Sequence, residues 1–125
     1  MIRNIHDLKS VMDRYCYFFD SLIVSILVSY SGSLSIEVTI RCRDLNNQQK
    51  LVRLQFVDVQ AWSFLSLRRE ASEVITEGIR FEQLDGEWLV DFGDDPDVDL
   101  KEESWTNDTS KWLIAKGLKI SELTD

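Results

Sequence analysis

His6 is the single histidine of the chain, and Cys16 and Cys42 are its two cysteines. A nucleophile–base pair would have to be drawn from these residues. Cys16 follows His6 by ten positions, which on a helix turns it about 80° away around the axis. A catalytic pair within one helix is therefore not expected, and His6 reads as a surface histidine. Neither cysteine sits in a CxxC pattern, and two cysteines are too few for a disulfide scaffold at this length. Both read as small, buried, reduced hydrophobes. A zinc site needs about four nitrogen or sulfur ligands, and the chain offers too few. The segment Asp95-Pro96-Asp97-Val98-Asp99 has the D-x-D-x-D spacing of a calcium loop. Leu100 stands where that loop needs glycine, and Thr106 where it needs the bidentate glutamate, so a solvated acidic loop is the better reading. GxxxxGK[ST], GxGxxG and GxSxG are absent from the sequence. No cofactor is predicted.

Charge is the other chemical signal. The formal net charge is −8 over 125 residues, and it is unevenly spread. Residues 1–70 hold nine basic and seven acidic side chains, whereas residues 71–125 hold five basic and fifteen acidic ones. Nucleic acid and anionic membranes need clustered Lys and Arg, so neither is expected as a partner. A basic protein would be drawn to the second half, chiefly through a faster on-rate. The densest acidic run lies between Gly93 and Asp108, and Asp94, Asp95, Asp97, Asp99, Glu102 and Glu103 are its candidate recognition residues. Trp62 and Trp105 fit no strand face. They are either interface anchors, where tryptophan is enriched, or packing residues of loops. Trp105, inside the acidic run, joins the candidate partner-binding set.

These residues must be positioned by a folded domain. At 125 residues, 44% hydrophobic with one proline and five glycines, the chain suits one globular domain over 1–125 with its own core. No signal peptide or span of about 20 apolar residues is present, so a soluble, cytoplasmic protein is expected. Ile5, Leu8, Val11, Met12 and Tyr15 recur at helical spacing, predicting a helix over Ile5–Phe18 with Asn4 as N-cap and Asp7 supporting its first turn. Leu22–Tyr30 and Ser33–Arg43 alternate as strands. Leu22, Val24, Ile26, Val28 and Tyr30 are expected inward on the first, and Leu34, Ile36, Val38, Ile40 and Cys42 on the second. Opposed residues share a face, so Val28 should meet Ile36, which requires an odd loop of three or five residues.

A third strand runs over Lys50–Val57 with Val52, Leu54 and Phe56 inward, and it bends or ends at Asp58. Arg68–Thr76 is assigned a short helix. Gly78–Leu84 and Glu87–Phe92 form a hairpin around Asp85-Gly86, since both loop positions of that turn need positive φ. Phe81 should oppose Val90, and Ile79 should oppose Phe92. Ser110–Leu123 is one strand or two short ones, with Trp112, Ile114, Leu118 and Ile120 on one side and Gly117 interrupting. The fold class is α+β, an N-terminal helix packed on a mainly antiparallel, twisted sheet of about six strands.

Phe18-Phe19-Asp20-Ser21-Leu22-Ile23-Val24-Ser25-Ile26 resembles the aromatic-x-D-[SA]-x-[IV]-x-x-[IV] opening of small β-rich bacterial proteins, some grouped with polymorphic-toxin immunity proteins. The strand Leu34–Ile40 and the later Leu54-Gln55-Phe56-Val57-Asp58-Val59 fall in the same order. Those proteins often carry histidine before the aspartate, where this chain has Phe19. The resemblance implies a non-catalytic domain that binds a toxin or another protein. Such an immunity-like inhibitor would present the Asp94–Glu103 loop as a phosphate mimic to a basic active site. Two other functions compete with it. One is a self-associating module whose apolar face, with Ile23 and Leu27, forms a homodimer. The other is a carboxylate-based, metal-dependent enzyme.

Overall fold

A computed structural model describes residues 1–64, 74–75, 78–93, 98–109 and 111–123. It is an α+β arrangement of helix α1 (Ile5–Arg14) on one sheet. The strands are β1 (Ser21–Tyr30), β2 (Leu34–Arg43), β3 (Gln49–Phe64), β4 (Val74–Ile75), β5 (Arg80–Leu84), β6 (Glu87–Asp91) and β7 (Lys111–Leu123). Their spatial order is β4-β1-β2-β3-β7-β6-β5, with every neighbouring pair antiparallel. Six strands carry the sheet, and the two-residue β4 adds a short edge beside Ser21 and Leu22.

Helix α1 starts as expected. The Asn4 side chain accepts the Asp7 N–H at 2.9 Å, and Asp7 lies in the first turn, where the helix dipole favours a negative charge. Leu8 and Met12 are the buried residues of its apolar stripe. The helix is shorter than its periodicity predicts. It ends at Arg14, and Cys16–Phe18 then form a tight turn in which all three residues have positive φ. The Phe18 N–H donates to the Tyr15 carbonyl, and the Phe19 N–H to that of Cys16, which turns the chain into β1.

The β1–β2 connection has the predicted parity. Val28 faces Ile36 and Tyr30 faces Leu34, leaving Ser31-Gly32-Ser33 as a three-residue loop. Leu34 is half-buried, and Ile36, Val38, Ile40 and Cys42 are buried, as the alternation of β2 requires. β1 is corrected in both halves: Val28 and Tyr30, expected inward, are 41% and 76% exposed because the end of the strand extends past the core, and the first half changes face. Its register with β2 shifts between Ile23 and Ser25, so Val24 is an extra residue. Such a bulge swaps the faces of the strand on its two sides. Ser21 and Ile23 are therefore the inward residues at the start of β1, and Val24 is exposed.

β3 does not end at Asp58 but bends and continues to Phe64. Asp58 has φ +53°, and the register with β7 shifts between Val59 and Ala61. Burial changes parity there on both strands, from Phe56 to Val59 and from Leu118 to Ala115. Gly117, opposite Val57, sits at this joint. A Cβ on Gly117 would stand 2.2 Å from Val57 Cγ2, so the two strands can approach only with glycine there. β7 is one strand, and its inward residues before the joint are Leu113 and Ala115, not Trp112 and Ile114.

The β5–β6 hairpin is as predicted. Phe81 faces Val90, and Asp85 and Gly86 have φ of +53° and +80°. Ile79 and Phe92 are buried, one residue beyond the ends of the paired ladder. Of the helix expected over Arg68–Thr76, Val74 and Ile75 are instead strand, and the remainder lies outside the described residues.

Two apolar clusters follow from this geometry. The larger joins Leu8, Met12, Tyr15 and Phe18 to inward residues of every strand from β1 to β7, such as Ile36, Leu54, Phe56, Val90 and Leu113. The smaller lies on the other face of β6 and β7, where Leu89, Trp112 and Ile114 meet Val98, Leu100 and Trp105. Strand β6 is consequently buried on both sides from Trp88 to Asp91. Among the described residues no helix is long and apolar enough to cross a membrane.

Candidate functional site

The acidic run enters from β6 and leaves into β7. Asp94, Asp95 and Asp97 lie outside the described residues. Asp99, Glu102 and Glu103 are exposed. Their backbone is held by successive tight turns, in which the Glu102 N–H donates to the Asp99 carbonyl and the Trp105 N–H to that of Glu102. The Asp99 carboxylate accepts the Lys101 N–H at 3.0 Å. Val98, Leu100 and Trp105 point the other way, into the smaller cluster. Trp105 is only 4% exposed, with its ring 5.8 Å from that of Trp112 in an edge-to-face contact. It anchors the segment from beneath and does not offer a surface to a partner. Trp62, by contrast, is 41% exposed and leans on Phe64.

Asp91 holds the foot of this segment. It is buried, and its carboxylate accepts the Gly93 N–H and the Thr109 hydroxyl, each at 2.8 Å. Its second oxygen meets the Arg80 guanidinium, which also donates to the Val98 carbonyl. One carboxylate thus ties together the two ends of the acidic run, and its arginine holds a point between them. Arg80 and Asp91 did not emerge as site residues from composition or motif. The hairpin parity was the available signal, because a two-residue Asp85-Gly86 loop sets residue 80 opposite residue 91.

A groove of about 610 Å³ lies between α1, β5 and residues 98–100. Its floor is apolar, with Leu8, Met12, Ile79 and Leu100 among its lining residues. His6, Lys9, Tyr17, Glu82 and Asp99 also line it. One side of the groove is a helix face and the others are a hairpin strand and a loop far along the chain, so no contiguous motif encodes it. Asp99 belongs both to the groove and to the acidic segment.

The sequence-level nucleophile candidates are dispersed. His6 lines the groove, while Cys16, expected buried, is only half-buried, with its thiol 3.9 Å from the Asp44 carbonyl. Burial, reinforced by Glu122, pushes the Cys42 thiol up to about 12. That disfavours the thiolate a nucleophile or metal ligand needs. Among the described residues no three His, Cys, Asp or Glu side chains converge as a metal site. Comparison with protein-family models, curated proteins and solved structures finds no match to this chain.

Proposed function

We propose that this is a non-catalytic protein-binding domain whose acidic segment recognises a basic partner, in the manner of an immunity-like inhibitor covering a toxin or nuclease. The observation that carries this reading is the division of labour within residues 98–105. Asp99, Glu102 and Glu103 face water while Val98, Leu100 and Trp105 are buried beneath them. An acidic surface held this way loses little conformational entropy when it binds, so its charge is available for recognition. The test is capture by the tagged protein from a lysate of its own cells, beside a variant with Asp94, Asp95, Asp97 and Asp99 changed to Asn. A basic protein captured by the parent, lost by the variant and weakened by salt is the expected result. Capture indifferent to both the variant and salt would sink this reading.

Self-association is the second reading, favoured by Val24, Leu27, Val28 and Tyr30, which leave β1 with exposed apolar side chains on both faces. Leu27 is 58% exposed, but Ile23 is buried and takes no part in this face. Sedimentation of the parent and of Leu27→Lys tests it. A parent dimer that the substitution splits supports this reading, and a parent monomer at high concentration removes it.

A further inference from the structure

The link between α1 and β1 is left-handed without a single glycine. Cys16, Tyr17, Phe18 and Asp20 have φ of 54°, 55°, 59° and 54°. Left-handed backbone is strained for residues that carry a Cβ. The rest of the fold enforces the turn. The Ile79 N–H donates to the Tyr17 carbonyl at 3.2 Å, and a Cβ on Gly78 would lie 2.4 Å from that same oxygen. Phe18 is fully buried behind it. The turn places Tyr17 and Phe19 outward, 41% and 49% exposed, with ring centroids 6.5 Å apart. Burial does not account for two aromatic side chains held half in water at the cost of strain. Recognition does, because exposed tyrosine and phenylalanine beside a groove are typical anchors of an interface.

The charges around them select the guest. Asp13 accepts the Tyr17 hydroxyl, Asp20 is exposed three residues on, and Glu82 and Asp99 line the groove. On the cationic side are His6 and Lys9, and Arg80, which is engaged by Asp91 and the Val98 carbonyl. An anionic guest would meet four carboxylates. A cationic one would find them together with two aromatic faces.

We infer that the Tyr17–Phe19 pair and the adjoining groove are a second recognition surface, for a segment of a basic protein in which Arg or Lys side chains are interspersed with apolar ones. The inference rests on the proposed reading of a basic partner and adds where that partner's apolar side chains go. The cation lies on the rings, and a neighbouring apolar side chain enters the groove over Leu8, Met12 and Leu100.

Fluorescence anisotropy with three labelled synthetic peptides tests it. One mixes Leu with Arg, one has Ser in place of each Leu, and one has Glu in place of each Arg. The parent is expected to bind the Leu/Arg peptide roughly tenfold more tightly than either other, as one or two cation–π contacts and an apolar side chain imply. Tyr17→Gly with Phe19→Ser removes both rings while relieving the left-handed backbone, and is expected to lose that preference with an intact melting transition. Ile5→Asp, on the helix wall of the groove and clear of the turn, should lose the preference for Leu over Ser. Glu102→Gln with Glu103→Gln, which spares the groove-lining Asp99, should weaken both Arg peptides alike and leave the Leu preference intact. If the aromatic and Ile5 variants bind all three peptides as the parent does, or if the parent shows no preference, the second surface is overturned. If only the acidic-segment variant is without effect, the second surface stands and the acidic-segment reading falls.

Discussion

Arg80 and Asp91 face each other across the β5–β6 ladder, and their side chains join on the buried side of the acidic segment. The pair couples the hairpin to the loop that follows it, because Asp91 also holds Gly93 and Thr109 while Arg80 holds Val98. Asp91→Ala would take one partner from each of three polar groups, the Gly93 N–H, the Thr109 hydroxyl and the Arg80 guanidinium. Removing one member of a buried charge pair costs about 3–5 kcal/mol, and the partial exposure of Arg80 brings the expectation to roughly 2–3 kcal/mol. Urea denaturation measures that loss. Hydrogen exchange should show residues 98–109 deprotected more than β2 and β3.

Trp105→Ala distinguishes a packing residue from an interface anchor. Emptying a buried tryptophan site costs about 3–5 kcal/mol of stability. The melting temperature is therefore expected to fall sharply in the isolated protein. An unchanged melting temperature would return Trp105 to the surface role that its position in the acidic run first suggested.

Gly117→Ala should destabilise by about 1–3 kcal/mol, since its methyl group collides with Val57 at the joint between β3 and β7. Val57→Ala removes the colliding atom. The double variant is expected to recover most of the loss, and the interaction energy from the four denaturation curves checks that the contact is direct.

Cys42 gives an alkaline signature. Its thiol is raised from the ordinary 9.0 to about 12, so the folded state holds the proton that the unfolded chain releases. The associated stability is fully present below about pH 9 and is lost as pH rises toward about 12. Tyr15, also raised by burial and by Glu122, acts in the same direction. Cys42→Val keeps the volume and removes the thiol. It is expected to match the parent near pH 7 and to resist alkaline unfolding to a higher pH, as followed by circular dichroism.

Much of this fold is legible where one face of a strand is wet. Glu37, Thr39 and Arg41 mark the outer side of β2 and fix its phase, and parity then delivers the three-residue loop to β1. In β1 the run Leu22–Leu27 is nearly all apolar, so nothing in the alternation marks Val24 as an extra residue. In β7 the ambiguity has another source. Trp112 and Ile114 are as apolar as Leu113 and Ala115 because they serve the second cluster, and a strand covered on both faces has no readable phase. The left-handed turn is silent in sequence because the residue type that normally announces it, glycine, is missing from Cys16–Asp20. Of the candidate site, the exposed acids were legible from charge density alone. The groove was not, since it depends on which distant segments the sheet order brings together; the facing of Arg80 and Asp91 follows from the hairpin parity, and only its extension to Val98 and Thr109 was hidden.

That order also has a temporal consequence. β7 comes last in sequence among the strands yet lies between β3 and β6 in the sheet. Until it has left the ribosome, the β1–β3 meander and the β5–β6 hairpin share no backbone ladder and wait as separate pieces with open edges. The acidic segment lies immediately before β7, and its foot at Thr109 is fixed two residues ahead of that strand. Joining of the sheet and completion of the proposed recognition surface therefore wait on the same strand, and a chain lacking β7 would have neither.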